Sequence, residues 1–144
     1  MELTDKHLIS SWLSLNNLYL SISNELEEVM QHEHRLSLKE FYVLLYLSEA
    51  PHKKLNLQQL QNKVGLSQSA MSRLVARFEA KGCGALQRQA CQHDRRNIYT
   101  SITEVGERKL EEALVTFHAA LEKALLEQNV QAEMKALLLM KKES

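Results

Sequence analysis

A capped amphipathic helix followed at once by a short, polar-tipped hairpin constrains this chain more than any other feature. Ser67 is a residue type favoured at helix N-caps, and Leu66 and Met71 stand at the two positions of a hydrophobic staple. Met71, Leu74, Val75 and Phe78 recur at helical spacing and predict a buried stripe. That leaves Gln68, Ser69, Ser72, Arg73, Ala76 and Arg77 on the outer face. The helix stops at Lys81-Gly82, and residues 85–91 and 97–103 then read as two strands around the polar turn Gln92-His-Asp-Arg-Arg96. A helix with such a face fits a DNA major groove, and an arginine-tipped hairpin beside it can reach the backbone or the minor groove.

Charge partition supports this reading where total charge does not. The 144 residues carry 18 Lys and Arg against 18 Asp and Glu, a formal net of zero, which alone argues against a nonspecific nucleic-acid binder. Residues 67–100, however, hold six bases (Arg73, Arg77, Lys81, Arg88, Arg95, Arg96) and two acids (Glu79, Asp94), a net of +4. The rest of the chain is therefore −4, and a basic patch sits on an acidic body.

The flanks are helical. Only 4 glycines and 1 proline interrupt the sequence, so a mainly α protein is expected. Residues 4–31 read as one long helix in which Leu8, Trp12, Leu15, Tyr19, Ile22, Leu26 and Val29 alternate at spacings of four and three. Such a stripe needs a partner helix along its length. Ser37-Leu-Lys-Glu40 is a capping box that opens a second helix with Phe41, Leu44, Leu45 and Leu47 as apolar positions, ending near Pro51. Residues 52–56 read as a loop, and Leu57–Val64 as a short helix with Leu57, Leu60 and Val64 inward, closed by Gly65. After the hairpin, Thr103 caps a last arm striped by Leu110, Leu114, Phe117, Leu121 and Leu125. Asn129 breaks it, and residues 130–140 form a final short helix. The two arms carry more apolar stripe than a small central domain can bury, so they are expected to pair with a second copy.

Other function classes find little footing. There is no Gly-rich phosphate loop, no HExxH and no nucleophile elbow, so an enzyme is not expected. No run of about 18 apolar residues suits a membrane span. The first residues lack the basic and apolar regions of a secretory signal, and two cysteines make no disulfide framework, so the cytoplasm is the expected compartment. Cys83 and Cys91 are too far apart along an extended strand to bridge within one chain, and read as small apolar residues. With His93 they fit no standard zinc spacing, and His32 and His34, even with His118, read as solvated helix surface, so neither metal nor cofactor is expected. Trp12, Tyr19, Phe41 and Tyr42 suit either core or an effector pocket.

At this point the chain resembles the multiple antibiotic resistance regulator (MarR) family of bacterial transcription factors. The family's wing pattern is Asp-x-Arg, five residues, then Leu-Thr-x-x-Gly; here Asp94-Arg95-Arg96 precedes, by five residues, Ile102-Thr103-Glu-Val-Gly106. Leu66-Ser-Gln-Ser-Ala-Met-Ser-Arg-Leu-Val75 looks like the family's recognition-helix entry, and Gly84-Ala-Leu-Gln-Arg88 like its helix-to-wing segment. The family passes directly from Lys-Gly into the strand, whereas Gly82-Cys83-Gly84 reads as two extra residues here.

The resemblance implies one subunit over residues 1–144, with 1–34 and 104–144 as dimerisation helices and 35–103 as a winged helix-turn-helix DNA-binding lobe. It implies a homodimer on a pseudo-palindromic double-stranded operator, acting as a repressor released by a small-molecule effector or stress signal. The expected DNA-binding residues are Ser67, Gln68, Ser69, Ser72, Arg73, Arg77, Arg88, Asp94, Arg95 and Arg96, with Arg96 as the wing arginine and Asp94 holding it by a charge-assisted bond. The alternative is a winged-helix dimer that senses ligands or docks proteins without binding DNA.

Overall fold

The structure, a computed structural model, describes residues 3–79, 84–90 and 98–143. Its elements run α1 (Leu3–His34), α2 (Leu38–Glu49), a short 3-10 turn (Pro51–Lys53), β1 (Lys54–Asn56), α3 (Leu57–Val64), α4 (Gln68–Glu79), β2 (Leu86–Ala90), β3 (Ile98–Ile102), α5 (Glu104–Gln128) and α6 (Val130–Glu143). The chain divides into two compact units, His34–Val115 and Met1–Glu33 with Thr116–Ser144.

The first unit is a winged helix-turn-helix. Its helix starts follow from side chains that occupy the otherwise unpaired first N–H groups of each helix. Ser37 Oγ accepts from the Glu40 N–H at 3.0 Å while Glu40 Oε1 accepts from the Ser37 N–H at 2.7 Å, a complete capping box for α2. Asn56 and Gln59 make the same reciprocal pair for α3. Gly65 then ends α3 in the left-handed region (φ 79°), which a residue without Cβ adopts at least cost. Phe41, Val43, Leu44 and Leu47 of α2, Leu60 and Val64 of α3, and Met71, Leu74, Val75 and Phe78 of α4 form the buried centre.

A three-stranded antiparallel sheet of order β1-β3-β2 closes the unit. Residues 54–56, expected as loop, are a strand paired to β3, with Leu55 opposite Thr100. Three residues are too few to show alternation, so only pairing with β3 reveals them as a strand. In the hairpin Leu86 faces Ile102 and Ala90 faces Ile98. Leu55, Leu86, Thr100 and Ile102 are the buried positions of the sheet.

Thr103 joins the sheet to α5. Its N–H donates to Ala85 O at 3.0 Å, its hydroxyl donates to Gly84 O at 2.5 Å, and the same oxygen accepts from the Gly106 N–H at 3.1 Å. Gly106 sits so close to the sheet that an added Cβ would lie 2.4 Å from Ala85 O and 2.7 Å from Ile102 Cγ1. This contact is the physical content of the Ile-Thr-x-x-Gly motif.

The second unit is helical. Gln128 Nε2 donates to Ser21 Oγ at 3.4 Å and Thr116 Oγ1 to Glu33 Oε2 at 3.3 Å, so the second half of α5 runs antiparallel to α1. Asn129, at φ 53°, separates α5 from α6. Ile22, Leu26 and Met30 of α1 are buried, but Trp12 is 59% exposed and Tyr19 61%. The stripe of α1 is thus covered toward its C-terminal end and bare toward its N-terminal end. No helix among the described residues is long and apolar enough to cross a membrane.

Candidate nucleic-acid interface

The site is built on α4. Ser67 Oγ accepts from the Ala70 N–H at 3.2 Å and lies 3.4 Å from Ser69 Oγ, so the helix start is capped and carries a second hydroxyl beside the cap. The buried stripe Met71, Leu74, Val75 and Phe78 fixes the rotation of the helix. With that face held, Ser67, Gln68, Ser69, Arg73 and Arg77 are exposed and Ser72 is half-buried. The outer face read from the sequence, Gln68, Ser69, Ser72, Arg73, Ala76 and Arg77, is thus exposed or half-buried throughout, with the cap residue Ser67 exposed beside it.

The arginines differ in their surroundings. Arg73 has no ion-pair partner among the described residues. Arg77 Nη2 stands 3.9 Å from Glu40 Oε2, the carboxylate whose other oxygen completes the α2 capping box. Arg88, on β2, is engaged by Glu79 at the end of α4, an ion pair that ties the hairpin to the helix. Its guanidinium is less available to an outside anion than that of Arg73. Asp94, Arg95 and Arg96 lie outside the described residues, as do Cys83, Cys91 and His93.

Sequence reasoning passed over Lys39 and Glu40 as site residues. Lys39 Nζ donates to Val64 O at 2.9 Å, holding the end of α3 and hence the turn into α4. With Ser37, Arg73 and Arg77 it borders an open cleft of about 790 Å³ floored by Leu66, Ala70 and Leu74. Only the fold brings the start of α2 beside α4; the sequence signal for Glu40 was its capping-box position alone.

Residues left open between core and pocket separate by unit. Phe41 is fully buried, its ring centroid 6.0 Å from that of Tyr42. In the helical unit, Trp12, Tyr19, Ile22, Leu121 and Leu125 line an apolar cleft of about 380 Å³. Among the described residues no three of His, Cys, Asp and Glu converge on a common metal position; His118 instead faces Glu122 at 3.8 Å.

This geometry has known counterparts. A family model described as MarR family matches residues 36–97, which run from the capping box of α2 past β2 and stop short of β3. None of the curated proteins compared with the chain matches it. Sco3205, a MarR family transcriptional regulator from Streptomyces coelicolor solved in complex with DNA, is 21% identical with a TM-score of 0.77, covering 91% of this chain and 81% of that one. The transcriptional regulator BldR from Sulfolobus solfataricus is 23% identical with a TM-score of 0.76, each chain covered in full. BpsR from Bordetella bronchiseptica, whose DNA binding is regulated by 6-hydroxynicotinic acid, is 18% identical with a TM-score of 0.70, covering 90% of this chain and 88% of that one. At these identities the structural likeness is one of fold. Together with the family match over residues 36–97, it shows a winged helix-turn-helix fold similar to that of MarR family transcriptional regulators.

Proposed function

We propose that this chain is a transcriptional regulator of the MarR family that binds double-stranded DNA in a sequence-specific manner as a homodimer, with α4 in the major groove. The observation that carries the reading is the sidedness of α4: hydroxyls, an amide and two guanidinium groups on one face, and a fully apolar stripe on the other. A helix is about 10–12 Å across with its side chains, which suits a major groove about 12 Å wide. Arginine bonds guanine bidentately, glutamine does so with adenine, and a capped helix start favours phosphate. Arg95 and Arg96 would extend the contact from the hairpin tip, with Asp94 holding Arg96. The DNA complex of Sco3205 supports this reading by likeness of fold.

Residues 1–34 and 104–144 are the dimerisation helices of the proposal, and 35–103 the DNA-binding lobe. The support is apolar surface in the helical unit: Leu8, Trp12, Tyr19 and Leu125 are exposed, and Leu126 is 81% exposed. A second copy covering them would present two α4 helices about 34 Å apart, one helical turn of DNA, to a pseudo-palindromic operator. Repression in the cytoplasm, released by a small ligand or stress signal, completes the proposal; the regulation of BpsR by 6-hydroxynicotinic acid motivates the ligand arm.

Selection of genomic fragments with the purified protein, with and without candidate ligands, oxidants and metals, tests the proposal. An enriched inverted repeat is the expected result, and a combined Arg73, Arg77 and Arg96 alanine variant should lose it. No enriched repeat would favour a dimer that docks proteins or senses ligands without DNA.

A further inference from the structure

On the side of α4 away from the basic cleft, a second cleft of about 590 Å³ is lined by carboxamides: Gln58, Gln61 and Asn62 from α3 and Gln68 from α4, with Leu57 and Ile98 as its apolar walls. Gln58, Asn62 and Gln68 are exposed and Gln61 is half-buried. None of the four amides has a side-chain hydrogen-bond partner among the described residues. Among the described residues, no charged side chain lines the cleft. Capping of α3 falls to Asn56 and Gln59, so Gln58, Gln61 and Asn62 are not needed to start the helix.

We propose that this amide face of α3 is a second, uncharged base-reading surface for A·T pairs, adjoining the α4 surface through Gln68. The inference rests on the DNA-binding reading above and adds the residues and base class. Each carboxamide offers two N–H donors beside a carbonyl acceptor, the pattern that pairs bidentately with the adenine N6 and N7 edge. Ile98, 49% exposed at the cleft wall, supplies the apolar contact that suits a thymine methyl group. Uncharged readers differ from arginines in one measurable respect. They release no counter-ions, so their loss lowers affinity for the right sequence without changing the salt dependence of binding.

The test uses the full-length protein and the duplex enriched by genomic selection. The triple variant Gln58→Ala, Gln61→Ala, Asn62→Ala is expected to lose about ten-fold or more in affinity for that duplex. The slope of log affinity against log salt stays unchanged, and the preference for A·T at the contacted positions relaxes. Gln58→Glu is the second variant. Glutamate in the first turn of α3 suits the helix dipole, so the fold is kept while a carboxylate is set against the duplex and affinity drops for every sequence. Wild-type affinity in both variants, with Arg73→Ala still weakened, overturns the inference and leaves the DNA-binding reading standing. A salt slope reduced by about one in the triple variant assigns the amides to phosphate and also overturns it. Absence of any duplex binding by the wild-type protein removes both readings.

Discussion

Replacing Gly106 by alanine isolates the contact on which the junction between sheet and α5 rests. An ideal Cβ at this position lies 2.4 Å from Ala85 O, 2.7 Å from Ile102 Cγ1 and 3.2 Å from the Ala85 carbonyl carbon. The nearest atom belongs to the backbone, and that carbonyl already accepts the Thr103 N–H at 3.0 Å, so it cannot turn aside without breaking a strand-to-helix bond. Overpacking of a filled site costs about 1–3 kcal/mol, and a backbone obstacle puts this case near the upper end. Alanine recovers about 1 kcal/mol of helix propensity over glycine, leaving a net loss of about 2 kcal/mol. For a chain of this length that is a fall in Tm on the order of 4–8 °C. Thermal and urea unfolding at one fixed protein concentration measure it, since association shifts apparent stability. Gly65→Ala is the comparison. Its Cβ would meet nothing within 4 Å, and only the left-handed backbone at φ 79° opposes it, at about 1 kcal/mol. If Gly106→Ala unfolds at or above the wild-type temperature, the close approach does not constrain the junction and the argument fails.

Three other perturbations follow from the same geometry. Glu40→Gln keeps an acceptor for the Ser37 N–H but removes the anion 3.9 Å from Arg77. Because Arg77 is 70% exposed, the pair is worth about 0–1 kcal/mol. Stability should therefore change by less than about 1 kcal/mol, while DNA affinity at low salt rises several-fold through loss of a repelling charge; titration of a labelled duplex reads this, and weaker binding would contradict it. Arg88→Ala should cost less DNA affinity than Arg73→Ala, since Arg88 is engaged by Glu79 whereas Arg73 has no ion-pair partner among the described residues; the reverse order in the same titration would place Arg88 on the duplex. Trp12→Glu removes about 1.5–3 kcal/mol of apolar burial per copy if the bare end of α1 is the dimer contact, and adds a charge there. Both copies are changed, so the dimer Kd should rise at least about 100-fold, and sedimentation at micromolar concentration should show monomer. An unchanged dimer would put the interface elsewhere.

The helix boundaries and the α4 surface were legible in the chain because their signals are local. Ser37 with Glu40, Ser67 with Ala70, and Gly65 after Val64 act within a few residues of one another, so caps and stops can be read before any fold exists. The stripe Met71, Leu74, Val75, Phe78 likewise determines which α4 side chains are left outside, whatever packs against it. β1, the engagement of Arg88 by Glu79, and the placing of Arg77 beside Glu40 left no such mark. The first and last join residues far apart in sequence, the Arg88–Glu79 pair depends on how the hairpin folds back on α4, and nothing in Lys54-Leu-Asn56 or in Glu40 announces its partner.

The amides of α3 illustrate the division most clearly. In the sequence Gln58, Gln61 and Asn62 are polar positions of a short helix, indistinguishable from solvated surface. Only the packing of α3 against α4 and the sheet gathers them with Gln68 and Ile98 around one cleft. Which segments are helical, and which face of each is apolar, is already written along the chain, because backbone capping and side-chain periodicity are properties of neighbours in sequence. The tertiary structure alone decided which charges are spent on each other, where a Cβ has no room, and which polar faces adjoin, because those depend on distances through space that no local pattern encodes.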